Sequence, residues 1–377
     1  MNYPLRIGIV GGGQLGKMLV QAAKKLGFYV AIVDPTPQSP GGQIADKQII
    51  ADYKDEKAIR KLAKLTDIIT FEIELANDKV LYELQKKGKI IHPSPKTLAV
   101  IRDKLRQKQF LKSHHLPTAP FLEIKINSDL NNVIKKWGFP FFIKARTDAY
   151  DGRGNAHVKT QFDIKNGLKK FKGRLLYVEK FIPFVKELAI MVARNIHGEI
   201  AVYPVVETIH NNNICDTVLV PAKISQKAAK NAQRIAKTTM EYLEGGGVFG
   251  IEMFLTKDDE ILINEISPRV HNSGHYTIEA TVTSQFEQHI RAISGLPLGS
   301  TEMIINSAVM KNILATKDGP GIPTGIAQAL KIPGVSLHIY GKHDSRPERK
   351  MGHITVVGNT IEECFSKAND ARKALNI

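Results

Sequence analysis

The N-terminal thirty residues leave little freedom in how the chain begins to fold. Arg6–Val10 is a short apolar run that ends in Gly11-Gly12-Gly13-Gln14-Leu15-Gly16. Residues 14–26 then place Leu15, Met18, Leu19 and Ala22 at helical spacing, and residues 29–33 form a second apolar run ending at Asp34-Pro35. Parallel strands need a crossover, usually a helix, so strand–helix–strand alternation points to a parallel sheet, which is covered by helices on both faces. Glu56–Leu65 reads as the next helix, and residues 67–71 as a third strand with Glu72 and Glu74 at its C-terminal end. The predicted class is α/β, opening with a doubly wound parallel sheet whose ligands gather at the carboxyl ends of its strands.

Length and charge narrow the function. With 377 residues the chain can build two or three domains, and 43% hydrophobic with 24% charged residues is an ordinary globular balance. Apolar runs such as 139–143 are too short for a bilayer, and Met1-Asn2-Tyr3-Pro4 lacks a signal-peptide pattern. Cys215 and Cys364 are far apart, with no disulfide framework or metal-ligand spacing, so the expectation is a cytoplasmic protein without a membrane partner. The net charge of +16 is spread along the chain with no dense basic arm. That argues against a nucleic-acid partner and for anionic small-molecule substrates.

The rest of the chain changes character. His92-Pro93-Ser94-Pro95 marks a boundary, and residues 97–113 are predicted as one basic helix. From residue 121 to about 207 the pattern is α+β, with a glycine loop at 151–155. Residues 228–243 read as a long helix, 249–255 and 261–265 as a hairpin, 284–294 as a helix, and the tail from 307 as short strands closed by a helix at 361–375.

Three motifs carry chemistry. The first glycine loop satisfies G-x-G-x-x-G, with Asp34 where a dehydrogenase would hold a ribose; it equally suits a ribose phosphate, or a tight turn with no ligand. The second is the apolar strand Phe141-Phe142-Ile143-Lys144-Ala145, which delivers a lysine just ahead of Asp151-Gly152-Arg153-Gly154-Asn155. A strand lysine beside a flexible glycine loop can clamp nucleotide phosphates. Tyr177-Val178-Glu179-Lys180-Phe181-Ile182 could be the edge that holds an adenine, with Glu187 placed to accept from ribose hydroxyls. The third is a pair of carboxylates, Glu252 and Glu265, each inside an apolar strand, with Asn264 beside the second. A charge there is costly unless paired or metal-bound, and these hard oxygens suit Mg²⁺.

In their order and spacing Lys144, the second glycine loop, Glu179 to Ile182, Glu187, Glu252 and Asn264-Glu265 resemble the ATP-grasp superfamily over nearly the whole chain. Within it, the first glycine loop, Tyr150-Asp151-Gly152-Arg153-Gly154, the string Asn264-Glu265-Ile266-Ser267-Pro268-Arg269-Val270-His271-Asn272-Ser273-Gly274-His275 and Arg349-Lys350-Met351-Gly352-His353 resemble the N5-carboxyaminoimidazole ribonucleotide synthases. The resemblance implies three domains: a substrate-binding N-terminal domain at 1–95, a linker helix with an α+β lid at 96–205, and the catalytic core with a small C-terminal α+β domain at 206–377. It also implies that the first domain serves the substrate and not a dinucleotide.

ATP contacts implied by the resemblance are Lys104, Lys144, Ala149, Tyr150, Asp151, Gly152, Arg153, Gly154, Asn155, Glu179, Lys180, Phe181, Ile182, Glu187, His210, Asn264 and Glu265. Glu252 and Glu265 are the implied ligands of Mg²⁺, with Mn²⁺ as an alternative. The implied substrate contacts are Gln14, Leu15, Glu74, Arg269, His271, Asn272, Lys342, Arg349 and Lys350. Asp151, Arg153 and Lys350 are the expected catalytic groups, and aminoimidazole ribonucleotide and bicarbonate the expected substrates of a homodimer. Many members carry Gly-Gly where this chain has Asp148-Ala149, and Ala-Pro-Arg-Pro where it has Ser267-Pro268-Arg269-Val270. Some eukaryotic relatives continue into a mutase domain; a chain ending at Ile377 is expected to lack that activity. Against this stand a nicotinamide-dependent dehydrogenase built on the first loop, and an ATP-grasp ligase with another acceptor, such as formate with glycinamide ribonucleotide.

Overall fold

The computed structural model describes residues 4–125, 128–147 and 154–377. The N-terminal unit runs β1 (Arg6–Val10), α1 (Gln14–Lys25), β2 (Tyr29–Asp34), β3 (Lys47–Ile50), α2 (Glu56–Leu65), β4 (Ile68–Phe71), α3 (Asp78–Lys86) and β5 (Ile90–Ile91). Its sheet has the order β3-β2-β1-β4-β5, and its pairings are parallel. Strand order reverses between β1 and β4, so the glycine loop after β1 and the two glutamates after β4 open into one crevice. The predicted doubly wound sheet is present, with β3 and β5 as edge strands too short to stand out in the sequence.

Two helices follow where one was predicted: α4 (Pro95–Arg102) and α5 (Lys104–Ser113). Asp103 between them is extended, at φ −92° and ψ 108°. Its carboxylate accepts from the amides of Leu105 at 3.0 Å and Arg106 at 3.3 Å, and pairs with Arg146 at 2.6 Å. An aspartate that caps the following turn competes with helix continuation. The break therefore puts Lys104 on the first turn of a new helix.

A second layer comprises β6 (Phe121–Ile124), α6 (Ser128–Trp137), β7 (Phe141–Ala145), β8 (Asn155–Val158), α7 (Gln161–Lys170) and β9 (Leu176–Lys180). The sheet is antiparallel, ordered β6-β9-β7-β8. Phe141, Ile143 and Ala145 face its small apolar core, so strand alternation sends Phe142 and Lys144 to the opposite face.

The remainder builds a nine-stranded sheet, a separate two-stranded one and the helices that pack on them. Its elements are β10 (Phe184–Arg194), β11 (Ile200–Val202), β12 (Val206–Asn211), β13 (Ile214–Val220), α8 (Gln226–Tyr242), β14 (Gly247–Thr256), β15 (Ile261–Ser267), α9 (Thr277–Ala280), α10 (Gln285–Ile293), β16 (Ser307–Leu314), β17 (Gly319–Pro320), α11 (Ile326–Leu330), β18 (Val335–Ile339), β19 (Asp344–Ser345), β20 (Lys350–Gly358) and α12 (Ile361–Ala374). The nine-stranded path is β15-β14-β10-β12-β13-β16-β20-β18, with β11 paired to β10; β17 and β19 form the two-stranded sheet. The C-terminal strands thus extend the same sheet through β13 and β16, and α12 covers them with Cys364, Ala368 and Ala371. Among the described residues no helix is long and apolar enough to cross a membrane.

Candidate active site

A cavity of about 1510 Å³ lies where the three layers meet. That exceeds the few hundred to about 1,000 Å³ that hold one small ligand, so two substrates fit side by side. Every expected site residue from the described segments lines it: Gln14, Leu15, Glu74, Lys104, Lys144, Gly154, Asn155, Glu179, Lys180, Phe181, Ile182, Glu187, His210, Glu252, Asn264, Glu265, Arg269, His271, Asn272, Lys342, Arg349 and Lys350. Ala149, Tyr150, Asp151, Gly152 and Arg153 lie outside the described residues.

The acidic wall comes from a hairpin. Glu252 on β14 lies directly opposite Glu265 on β15, and the register slips by one residue just after this pair. The slip is a β-bulge that adds Asn264 and lets two consecutive residues, Asn264 and Glu265, both reach the cavity. Glu265 pairs with Lys104 at the start of α5. Burial, and then the facing Glu265, push the Glu252 carboxyl up to about 7. Across it, His271 Nε2 is 3.5 Å from Glu252, while its Nδ1 faces the Ser273 hydroxyl at 2.8 Å. Burial and the nearby Arg269 and Lys350 keep this imidazole neutral, far below its ordinary range.

The same wall extends to Glu187, whose carboxylate is 2.7 Å from His210 Nδ1. Burial opposes protonation of His210, but Glu187 outweighs it and raises the imidazole above its ordinary value. On the adjoining layer Lys144 lies 2.6 Å from Glu179. Around this end the cavity is aromatic. His157 stacks on Phe142 at 4.7 Å and on Phe181 at 5.5 Å, and Phe184 stacks on Phe254 at 4.5 Å. Flat apolar faces beside lysines and carboxylates suit a base, a ribose and a polyphosphate.

The opposite end is cationic. Lys342, Arg346, Arg349 and Lys350 line it, and the Lys342 ammonium donates to the Lys350 carbonyl at 2.5 Å. Burial, and then its cationic neighbours, lower Lys342 to about 7. Such a group gains most by meeting an anion. Arg269 lies 3.2 Å from Glu74, and its buried Nε has no hydrogen-bond partner among the described residues. Burial works against the Glu74 carboxylate, yet Arg269 and Lys104 outweigh it and hold it below its usual range.

The first glycine loop is filled by the chain itself. Glu72 accepts from the Gly13 amide at 2.6 Å and the Gly16 amide at 2.9 Å. Asp34 accepts from Gly12 and Thr36, each at 2.8 Å. Gly11 sits at φ +102°, where a Cβ would meet the Glu72 side chain at 2.5 Å, so glycine is required. Sequence reasoning assigned no role to Glu72, and it missed Lys108, His157 and the aromatic pairs. Glu72 carried a signal, standing two residues from Glu74 at a strand end; Lys108 carried none, being one lysine among several in a basic helix.

Two strand carboxylates with an asparagine fit a hard divalent cation. Burial, and then their mutual repulsion, raise Glu252, and a cation would relieve the repulsion. Among the described residues no three His, Cys, Asp or Glu side chains converge to hold a metal alone. This is the donor set expected for Mg²⁺, which takes one or two carboxylates and completes its shell with substrate phosphates and water.

A nucleotide-sized acidic and aromatic end beneath a small antiparallel layer, joined to a parallel N-terminal domain, defines the ATP-grasp class of enzymes. The ATP-grasp domain model matches residues 109–286, the ribonucleotide synthetase preATP-grasp domain residues 5–102, and the phosphoribosylaminoimidazole carboxylase C-terminal domain residues 308–367. The N5-carboxyaminoimidazole ribonucleotide synthase of Synechococcus elongatus is 41% identical over 351 residues, covering 93% of this chain and 89% of that protein. The chain belongs to the N5-carboxyaminoimidazole ribonucleotide synthase family. The crystal structure of the Thermotoga maritima synthetase superposes with a TM-score of 0.90 at 50% identity, covering 99% of each chain. The Aspergillus clavatus synthase, solved with ADP and 5-aminoimidazole ribonucleotide, superposes at 0.91 with 37% identity and 98% coverage of each. The chain also matches yeast phosphoribosylaminoimidazole carboxylases, of which it spans about two thirds, 67% in Ogataea methanolica and 65% in Candida albicans.

Proposed function

We infer that this enzyme carboxylates 5-aminoimidazole ribonucleotide at its 5-amino group in purine biosynthesis, using ATP and bicarbonate. The single observation that carries the reading is the two-ended cavity: an acidic, aromatic end continuous with a cationic end in one space of about 1510 Å³. The matching family at high coverage, and a relative solved with both ADP and the ribonucleotide, support it.

In this reading bicarbonate oxygen attacks the γ-phosphorus of ATP, giving carboxyphosphate and ADP. Carboxyphosphate breaks to CO₂ and phosphate, and the 5-amino nitrogen attacks the carbon and sheds a proton. Lys144 and Lys104 neutralise charge on the phosphates; Glu187 orients the ribose; Phe142, Phe181 and Phe254 flank the base. Glu252 and Glu265 would hold Mg²⁺, which when bound would supply further neutralisation of the phosphates. Arg269, His271, Asn272, Lys342, Arg349 and Lys350 hold the ribonucleotide next to the bond-forming atoms, Gln14, Leu15 and Glu74 closing that end. Asp151 as proton acceptor and Arg153 as phosphate ligand are proposed from sequence position. A cytoplasmic homodimer is proposed on family resemblance.

Release of ADP from ATP tests the acceptor. Aminoimidazole ribonucleotide with bicarbonate should support turnover, and glycinamide ribonucleotide with formate should not. The reverse preference would assign the chain to another ATP-grasp ligase.

A further inference from the structure

Lys108 is a buried lysine to which the reaction above gives no task. It stands one turn into α5, with only 2% of its side chain exposed. Its ammonium lies 2.7 Å from Glu179 Oε2, while Lys144 lies 2.6 Å from Glu179 Oε1. Two lysines thus hold the two oxygens of one carboxylate, which is itself 3% exposed. Lys108 is fixed further by donating to the Thr118 hydroxyl at 2.8 Å. Burial works against the carboxylate charge, and the two lysines outweigh it, holding Glu179 down to about 2.

The two lysines are not equivalent. Both border the cavity, but Lys144 keeps 14% of its side chain exposed and Lys108 only 2%, so Lys144 is the one placed to meet a ligand. Burial lowers the Lys108 ammonium and the adjoining Glu179 opposes that; with Lys108 protonated the trio carries a net charge of one positive unit. If Lys108 were absent, Glu179 would cancel Lys144 alone, and a phosphate approaching Lys144 would meet a neutral pair. A buried carboxylate holds a lone counter-ion strongly, because little solvent screens the attraction.

We propose that Lys108 is a positioning residue for nucleotide binding: it satisfies Glu179 from beneath so that the Lys144 charge stays available to the ATP phosphates. The proposal rests on the reading that Lys144 meets those phosphates. It makes ATP affinity follow the net charge of the trio, which a purely structural role for Lys108 does not.

Steady-state kinetics on Lys108→Met, Lys108→Met/Glu179→Gln and Lys144→Met, with thermal melts of each, test it. Lys108→Met should raise the KM for ATP by roughly tenfold, the scale of one unit charge near a polyanion at intermediate dielectric. The KM for the ribonucleotide and kcat should stay within a few-fold. The double variant restores one net positive charge and should recover most of the ATP affinity. Lys108→Met with parental ATP KM, while Lys144→Met loses ATP affinity, overturns the proposal alone. Parental ATP affinity in Lys144→Met would instead overturn the phosphate reading on which it stands. If Lys108→Met does not fold, Lys108→Gln decides: a raised ATP KM at near-parental kcat supports the charge account, and a parental ATP KM overturns it.

Discussion

The Gly13 amide donates to the Glu72 carboxylate at 2.6 Å, so a side chain of the protein already occupies the helix N-terminus that a dinucleotide-binding fold offers to a pyrophosphate. Glu72 takes the Gly16 amide as well, and Asp34, where a ribose would sit, is turned inward onto Gly12 and Thr36. The loop has the shape of an anion site with its anion built in.

No binding of NAD(H) or NADP(H) is therefore expected, although the glycine fingerprint and Asp34 are both present. Isothermal titration calorimetry checks this; micromolar affinity for either dinucleotide would overturn the assignment of the loop.

Glu265→Gln should leave the fold intact and lower turnover by on the order of 10²-fold, the scale of several kcal/mol of lost charge stabilisation. The side chain faces Glu252 and pairs with Lys104, and it loses its charge with little change of shape. The measurement is kcat against Mg²⁺ concentration, with a circular-dichroism melt beside it. Parental turnover at ordinary Mg²⁺ would remove Glu265 from the metal site.

Glu252 ties stability to pH. Its carboxyl is raised from 4.5 to about 7 in the folded protein by burial and by Glu265. Between those values the folded state holds a proton that the unfolded chain has lost, so stability is fully present below about 4.5 and is lost as pH rises through about 7. Without metal or nucleotide, Glu252→Gln should melt higher than the parent at pH 8, and the gap should close toward pH 5. A gap of constant size across that range would show that Glu252 does not titrate there.

What could be read from the sequence, and what could not, follows from the range of the forces involved. The glycine loop after β1, the lysine on β7 and the carboxylates on β14 and β15 are local signals: an apolar run of the right length with one polar residue out of place. Long-range partners hid the rest. The single helix expected at 97–113 is broken because Asp103 finds Arg146, 43 residues away. Asn264 shares the cavity with Glu265 only because β15 bulges against β14, a matter of pairing register that neither strand states alone. Glu72 gains its meaning from lying beside β1 in the sheet, and Lys108 from a carboxylate 71 positions along the chain, on β9. The co-location of the ATP and ribonucleotide residues in one cavity was expected from resemblance, and no local pattern would have revealed it.

The most direct test of the central claim follows an oxygen atom. If bicarbonate oxygen attacks the γ-phosphorus, bicarbonate labelled with ¹⁸O must hand one labelled oxygen to the inorganic phosphate released, in step with ADP and only when aminoimidazole ribonucleotide turns over to its carboxylated product. Mass spectrometry of the phosphate should therefore show a single ¹⁸O per turnover. Unlabelled phosphate accompanying full formation of the carboxylated product would contradict the carboxyphosphate route.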